Sequence, residues 1–205
     1  MNTKNSELNL PGLSYLTALN RPITLFLDRD GVINRRLPGA YVTSPSEFVL
    51  LRGVTEALKV FDQYFKRIIV VTNQQGIGKG LMTEEDLRIV HGFMYREIVA
   101  AGGRIDAVYH CPDLADSNSP CRKPATGMAR QARKDYPEIE FPNSIMIGDS
   151  LSDMEFGTAL GMYNVLVAGN EETEYLIKKG LPSDCRIDLM VENLFVFAEM
   201  LVKTP

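Results

Sequence analysis

Residues 23–34, Ile-Thr-Leu-Phe-Leu-Asp-Arg-Asp-Gly-Val-Ile-Asn, place two carboxylates directly after an apolar run. The run Ile23 to Leu27 is typical of a parallel β-strand that is covered on both faces. Ligands of open parallel sheets bind beyond the carboxyl ends of the strands, which is where Asp28 and Asp30 fall. A spacing of two in an extended segment puts both carboxylates on one side, where they could attract a hard cation such as Mg²⁺. The alternative is an Asx turn that simply ends the strand.

The rest of the chain repeats this alternation of strand and helix. Four further apolar runs predict strands, namely Arg67–Thr72, Ile105–Tyr109, Ser144–Ile147 and Asn164–Val167. Apolar residues at helical spacing lie between them, as in Val54, Leu58, Phe61 and Phe65, and in Leu87, Val90, Met94 and Ile98. Helix caps are predicted by the spacing of Thr83 with Asp86 and of Ser152 with Glu155. An edge strand is predicted over Asp188–Val191 and a closing helix over Leu194–Val202. The pattern predicts an α/β fold, a three-layer Rossmann-like parallel sheet with helices on both faces.

Composition limits the class of protein. The chain has 205 residues, of which 45% are hydrophobic and 23% charged, so we expect a single folded domain over residues 21–205 after an N-terminal tail over residues 1–20. We find neither an apolar run of membrane-spanning length nor a secretory pattern, so the cytoplasm is the expected compartment. The net charge of −4 argues against nucleic acid as a partner, and a monomer is the default expectation. Three cysteines, Cys111, Cys121 and Cys185, are expected to be free thiols or metal ligands.

The second predicted strand ends in small polar residues and glycines, Thr72-Asn73-Gln74-Gln75-Gly76-Ile77-Gly78-Lys79-Gly80. Hydroxyl and amide donors at a strand end, beside backbone amides freed by glycine, suit an anionic phosphoryl group. The glycine spacing matches neither a Walker A motif nor a dinucleotide-binding motif. An ordinary turn is the alternative.

Two more polar groups follow later strands. Arg122 and Lys123 precede a proline, and a lysine near several aspartates would balance their charge and stabilise a phosphate, although a solvated cationic pair is the alternative. Asp149 follows the fourth strand and could complete the Mg²⁺ site. Asp153 falls near a helix start, where a metal role and an interaction with the helix dipole are equally plausible.

The order of these motifs, an acid pair, a small donor, a lysine and an acid after successive strands, resembles the haloacid dehalogenase-like phosphohydrolases. More narrowly, Asp-Arg-Asp-Gly-Val-Ile-Asn, Thr-Asn-Gln-Gln-Gly-Ile-Gly-Lys-Gly and Cys-Arg-Lys-Pro are similar to the subfamily of heptose bisphosphate and histidinol phosphatases, which have no large cap domain. The resemblance implies a Mg²⁺-dependent phosphomonoesterase that acts on a small phosphorylated sugar or amino alcohol. Heptose 1,7-bisphosphate is the first expected substrate, and histidinol phosphate or another phosphosugar is the alternative.

The resemblance also implies a role for each site residue. Asp28 would attack phosphorus to give an aspartyl-phosphate, and Asp30 would protonate the leaving alcohol and then activate water. The remaining expected residues are Thr72 and Lys123 on the phosphoryl oxygens, Asp28, the backbone carbonyl of Asp30 and Asp149 on Mg²⁺, and Asn73, Gln74, Gln75 and Arg122 on the substrate. A receiver-like domain and a non-catalytic phosphate-binding protein are the alternatives from other classes.

The chain departs from the subfamily in one loop. Many members hold a structural zinc ion with Cys-x-His and Cys-x-Cys, where this chain has Cys111-Pro112-Asp113 and Ser119-Pro120-Cys121. Asp113 can ligate zinc, but Ser119 is a poor ligand, so two of the four positions have changed. We therefore do not expect a structural zinc ion.

Overall fold

A six-stranded parallel sheet forms the centre of the computed structural model, which describes residues 23–180, 182–183 and 185–203. The predicted tail over residues 1–20 lies outside these residues. The sheet order is β3-β2-β1-β4-β5-β6, so β1 and β4 are central. The strands are β1 (Thr24–Leu27), β2 (Arg67–Asn73), β3 (Ala107–Cys111), β4 (Ser144–Gly148), β5 (Tyr163–Val167) and β6 (Leu189–Val191).

Helices cover both faces of the sheet, because successive strand residues point to opposite sides. Leu25 and Leu27 pack on one face, and Phe26 packs on the other. The first face is covered by α1 (Val54–Tyr64), α2 (Glu84–Ala100) and α6 (Leu194–Lys203), and the second by α3 (Gly127–Asp135) and α4 (Leu151–Ala159). A further helix, α5 (Glu171–Lys179), follows β5, and a 3-10 turn (Phe141–Asn143) precedes β4. The predicted three-layer α/β fold is confirmed.

Two local predictions need correction. The third strand begins at Ala107 rather than Ile105, because Asp106 ends the preceding loop: its carboxylate accepts from the backbone N–H of Ile68 at 2.7 Å. The capping box of α4 is formed by Ser150 with Asp153, two residues before the predicted pair. The predicted cap of α2 by Thr83 and Asp86 is confirmed.

The connections of the sheet place the site residues at one edge. The strands are parallel, so the carboxyl ends of β1, β2 and β4 meet there, and Arg122 and Lys123 line the same cavity. Within the described part of the chain, no second domain is inserted between these elements. No helix among the described residues is long and apolar enough to cross a membrane.

Candidate active site

The strand end after β1 carries Asp28, which is buried and is held by a lysine. The Nζ atom of Lys123 donates to Oδ1 of Asp28 at 2.7 Å, to Oδ1 of Asp153 at 2.5 Å and to the carbonyl of Val71 at 2.8 Å. Lys123 is 3% exposed and uses all three of its donors, so its position is fixed. This arrangement joins the ends of β1 and β2 to the start of α4.

Burial and charge act in opposite directions on this group. Burial raises the pKa of Asp28 to about 6, although the adjacent Lys123 lowers it, and the nearby Asp153 raises it further. Burial would lower the pKa of Lys123, but Asp153 and Asp28 outweigh this effect and raise it to about 12. At neutral pH Asp28 is therefore mostly an ionised carboxylate and Lys123 a cation.

Asp149 follows β4 and faces Asp28 across the strand ends. Its Oδ2 accepts from Nδ2 of Asn170 at 2.8 Å, and its carboxylate packs against Gly31, where an added Cβ would lie 1.9 Å from Oδ2. Gly31 has φ +93°, so glycine is required by both its conformation and the space. Burial, Asp28 and Asp153 raise the pKa of Asp149 to about 8, because the site has an excess of negative charge.

The three carboxylates fit a hard divalent cation. Oxygen atoms of Asp28, Asp149 and Asp153 lie within 4.8 Å of one another. Carboxylate oxygens are the ligands that Mg²⁺ prefers, and a cation would offset the burial and the like charges that raise the pKa values of Asp28 and Asp149. Asp153 is committed elsewhere: its Oδ1 binds Lys123 and its Oδ2 accepts from the backbone N–H of Ser150 at 3.1 Å. Asp153 therefore belongs to the start of α4 and to the Lys123 contact as well as to this group of three carboxylates.

Asp30 is oriented by three side chains. Its Oδ1 accepts from Nη2 of Arg29 at 2.9 Å and Nδ2 of Asn34 at 2.9 Å, and its Oδ2 accepts from Nη2 of Arg29 and Nε2 of Gln74, both at 2.8 Å. Burial would raise the pKa of Asp30, but the charge of Arg29 and the donated hydrogen bonds together hold it below its usual value. The Asp30 side chain keeps 24% exposure, so the carboxylate still reaches the cavity.

The residues at the end of β2 and directly after it divide into two groups. Thr72, Asn73 and Gln75 line the cavity, whereas Gln74 is 1% exposed and does not. The prediction that Gln74 contacts substrate therefore needs correction, because its amide nitrogen donates to Asp30 and to Oγ1 of Thr72 at 2.8 Å. Asn73 reaches the cavity but also clamps Lys123, donating to its carbonyl at 3.1 Å and accepting from its backbone N–H at 3.0 Å.

A cavity of about 400 Å³ opens above these groups. Its floor holds Asp28, Asp30 and Asp149, and its wall includes three cations, Arg36, Lys79 and Arg122. An acidic floor beneath a cationic wall suits a divalent cation below an anionic substrate.

The loop before Arg122 departs from the prediction of free thiols or metal ligands, because Cys111 and Cys121 form a disulfide. The carboxylate of Asp113 accepts from Oγ of Ser119 at 2.5 Å, and its carbonyl accepts from Nη1 of Arg122 at 3.2 Å. Ligand atoms of Cys111, Asp113 and Cys121 lie within 4.8 Å of one another, and Ser119 adds a hydroxyl beside them. Cys185 is not disulfide-bonded and keeps the thiol that was predicted for it.

Sequence reasoning missed four contributors to the site. Arg29 and Asn34 orient Asp30, His91 contacts Arg29, and Asn170 holds Asp149. Arg29 and Asn34 lie within the first motif, so their spacing from Asp30 was an available signal. His91 and Asn170 reach the site from α2 and from the loop after β5, and no local pattern marks them.

Comparison with known proteins identifies the family. A HAD-hydrolase-like family model matches residues 120–195. A D-glycero-alpha-D-manno-heptose-1,7-bisphosphate 7-phosphatase of Mycobacterium bovis is 42% identical over 174 residues, covering 85% of this chain and 88% of the relative. The chain belongs to the haloacid dehalogenase-like phosphatases. It is a phosphoric monoester hydrolase, as the motifs predicted.

Two further comparisons, with proteins of Bordetella bronchiseptica, agree with this assignment. A D-glycero-beta-D-manno-heptose-1,7-bisphosphate 7-phosphatase is 33% identical and covers 87% of this chain and 97% of the relative. The crystal structure of a D,D-heptose 1,7-bisphosphate phosphatase complexed with magnesium and phosphate has a TM-score of 0.79 at 32% identity, covering 89% of this chain and 99% of that chain. The haloacid dehalogenase-like fold therefore extends over nearly all of the described residues.

Proposed function

We propose that this phosphatase removes the 7-phosphate of D-glycero-D-manno-heptose 1,7-bisphosphate with the help of Mg²⁺, through an aspartyl-phosphate on Asp28. The observation that carries the proposal is the pair formed by Asp28 and Lys123 beside Asp30 and Asp149 in one cavity. The names of relatives that are 33% and 42% identical supply the substrate.

Asp28 acts as the nucleophile. Its carboxylate is ionised at neutral pH and is fixed by Lys123 at 2.7 Å, so it meets phosphorus without rearrangement of its own side chain. One oxygen forms the bond to phosphorus while the bond between phosphorus and the sugar oxygen breaks. Lys123 balances the negative charge that gathers on the phosphoryl oxygens.

Asp30 moves the protons of both half-reactions. In the empty site Arg29 and the donated hydrogen bonds keep Asp30 ionised, so Asp30 takes up its proton together with the substrate phosphate, whose negative charge raises the pKa of the carboxyl. As the first bond breaks, this proton passes to the sugar oxygen, which receives the bonding electron pair. In the second half-reaction the Asp30 carboxylate takes a proton from water as the water oxygen attacks phosphorus, and the Asp28 oxygen leaves. The exposed edge of Asp30 in the cavity allows both transfers.

The remaining residues hold the transferred group. Thr72 accepts a hydrogen bond from Gln74, so its hydroxyl hydrogen is available for a phosphoryl oxygen. Asp28, the carbonyl of Asp30 and Asp149 would hold Mg²⁺, which supplies charge neutralisation and alignment of the phosphoryl group. Asp153 stays with Lys123 and the start of α4.

The three cations of the cavity wall support a substrate with two phosphates. Arg122, Lys79 and Arg36 line the cavity beside the acidic floor, where the second phosphate of a bound sugar would lie. Because the 42% identical relative is named for the α-anomer and the 33% identical one for the β-anomer, we favour the α-anomer.

Phosphate release from a panel of substrates tests the function. The panel holds both anomers of heptose 1,7-bisphosphate, histidinol phosphate and hexose phosphates, assayed with Mg²⁺ and with a chelator. We expect selective Mg²⁺-dependent turnover of a heptose bisphosphate, and no turnover by Asp28→Asn. Preference for histidinol phosphate would contradict the substrate, and substantial activity of Asp28→Asn would contradict the nucleophile.

A further inference from the structure

Arg29 lies between the two catalytic aspartates in sequence, yet its guanidinium is fully buried, with 0% of the residue exposed. Its Nη2 contacts both oxygens of Asp30 at 2.9 and 2.8 Å, and also Oε1 of Gln74 at 3.3 Å. Its Nη1 lies 3.1 Å from Nε2 of His91 on α2. A buried guanidinium destabilises the folded state unless its N–H groups have partners, and here both Nη atoms have partners.

We propose that Arg29 and His91 are positioning residues that hold the Asp30 carboxylate at the angle required for proton transfer to the leaving oxygen. The proposal rests on the proposed function, because it assumes that Asp30 is the acid and base of a phosphatase. Neither residue touches substrate: the cavity is lined by Asp30 but by neither Arg29 nor His91.

The shape of the guanidinium explains why arginine occupies this position. Arginine offers donors in a rigid planar fork, so contact with both oxygens fixes the rotation of the carboxylate about its last bond. Lysine carries the same charge as a point and would leave that rotation free. Asn34 donates to Oδ1 of Asp30 and Gln74 donates to Oδ2, so both side chains assist Arg29 in holding the carboxylate.

His91 completes the set from behind. A guanidinium nitrogen can only donate, so Nε2 of His91 accepts and the ring is neutral, with its hydrogen on Nδ1. Burial and the charge of Arg29 lower the pKa of His91 to about 3, in agreement with a neutral ring. The contact holds the far end of the guanidinium and ties the loop after β1 to α2.

The leaving group provides a test that a purely structural role would not satisfy. An alkyl phosphate needs a proton on its leaving oxygen, whereas p-nitrophenyl phosphate releases a stable anion without one. The value of kcat/KM reports the first half-reaction alone, so its dependence on leaving-group pKa measures how well Asp30 delivers the proton.

The experiment measures kcat/KM for a graded series of aryl and alkyl phosphates, including the heptose bisphosphate, with Mg²⁺ present. We expect Arg29→Lys to lower the value for alkyl phosphates by about 100-fold and for p-nitrophenyl phosphate by less than about 5-fold, since general acid catalysis supplies about 10²- to 10⁴-fold. Asp30→Asn gives the reference slope for complete loss of the proton donor. An equal fall for all leaving groups would overturn the proposal.

A second pair of variants keeps the test decisive should Arg29→Lys fail to fold. His91→Phe removes the acceptor but keeps a ring, and His91→Gln restores an amide oxygen near the position of Nε2. We expect His91→Phe to steepen the dependence on leaving group, with about a 10-fold loss for alkyl phosphates, and His91→Gln to recover most of it. Tyr95→Phe is the control on the same helix, because Tyr95 is 51% exposed on α2.

The outcomes separate this proposal from the proposed function. If the wild-type protein hydrolyses aryl and simple alkyl phosphates but not the heptose bisphosphate, the substrate assignment fails and the leaving-group series still decides the role of Arg29 and His91. If His91→Phe and His91→Gln behave alike, or both match Tyr95→Phe, the positioning role is overturned.

Discussion

Replacement of Asp149 by asparagine is expected to stabilise the metal-free protein while abolishing its response to Mg²⁺. Asp149 is 3% exposed and faces Asp28 and Asp153, and burial and these charges raise its pKa to about 8. An asparagine has nearly the same shape and can still accept from Asn170, which donates to Oδ2 at 2.8 Å. The substitution therefore removes the charge and leaves the packing intact.

The pKa shift sets the size and the pH dependence of the effect. A raised folded pKa means that the folded state binds more protons than the unfolded state, so stability falls as pH rises from about 4 to about 8. Each pH unit between the ordinary pKa of 3.8 and pH 7 costs about 1.4 kcal/mol, or about 4 kcal/mol in all. Because Asp28 shares this repulsion and asparagine is also desolvated, we expect a gain of about 1–3 kcal/mol.

Denaturant unfolding in chelator at pH 5 and pH 7.5 measures this gain. Asp149→Asn should be more stable than wild type at pH 7.5. The difference should shrink at pH 5, because that pH lies only about one unit above the ordinary pKa of 3.8 that Asp149 has in the unfolded state. Mg²⁺ at 100 times its Kd should add about 2.7 kcal/mol to the wild type and nothing to the variant. A variant that is less stable than wild type in chelator at pH 7.5 would refute the claim of a repulsive carboxylate site.

Three other substitutions test separate parts of the site. Gly31→Ala places a Cβ 1.9 Å from Oδ2 of Asp149 at φ +93°. Thermal unfolding should therefore show a loss of about 2–4 kcal/mol in the free energy of unfolding, and the Mg²⁺ concentration for half-maximal activity should rise. Wild-type values for both quantities would contradict the close approach of Gly31 to Asp149. Asp153→Asn removes one of the two carboxylates that contact Lys123. We expect kcat to fall by about 10-fold or more, with a smaller effect on KM. An unchanged kcat would show that Asp28 alone positions the lysine. Cys111→Ser opens the disulfide and should lower the free energy of unfolding by about 2 kcal/mol. It should also raise KM for a bisphosphate more than it changes kcat. Identical unfolding of the oxidised and the reduced wild type would contradict a stabilising role of the disulfide.

Much of the fold and site could be predicted because their signals are local. Apolar runs mark the strands, Asp28 and Asp149 directly follow β1 and β4, and Thr72 lies near the end of β2. Parallel strands bring their carboxyl ends to one edge, so the topology alone brings these side chains together.

The sequence predictions failed where a residue contacts side chains that lie far from it along the chain. Gln74 was predicted to contact substrate together with Asn73 and Gln75, but its amide turns inward to Asp30 and Thr72. His91 reads as one more residue on a helix face, and only the tertiary structure places it against Arg29. The disulfide depends on how the loop between its two cysteines folds back, which spacing alone does not determine.

The covalent intermediate gives the most direct test of the central claim. We would mix Asp30→Asn with Mg²⁺ and p-nitrophenyl phosphate, whose leaving group needs no proton, quench with acid, digest the protein and locate phosphate by mass spectrometry. The account predicts phosphate on Asp28, at higher occupancy than in wild type because the variant has lost the base that activates water, and none in Asp28→Asn. Phosphate on another residue, or none in Asp30→Asn while it still releases p-nitrophenol, would contradict the account.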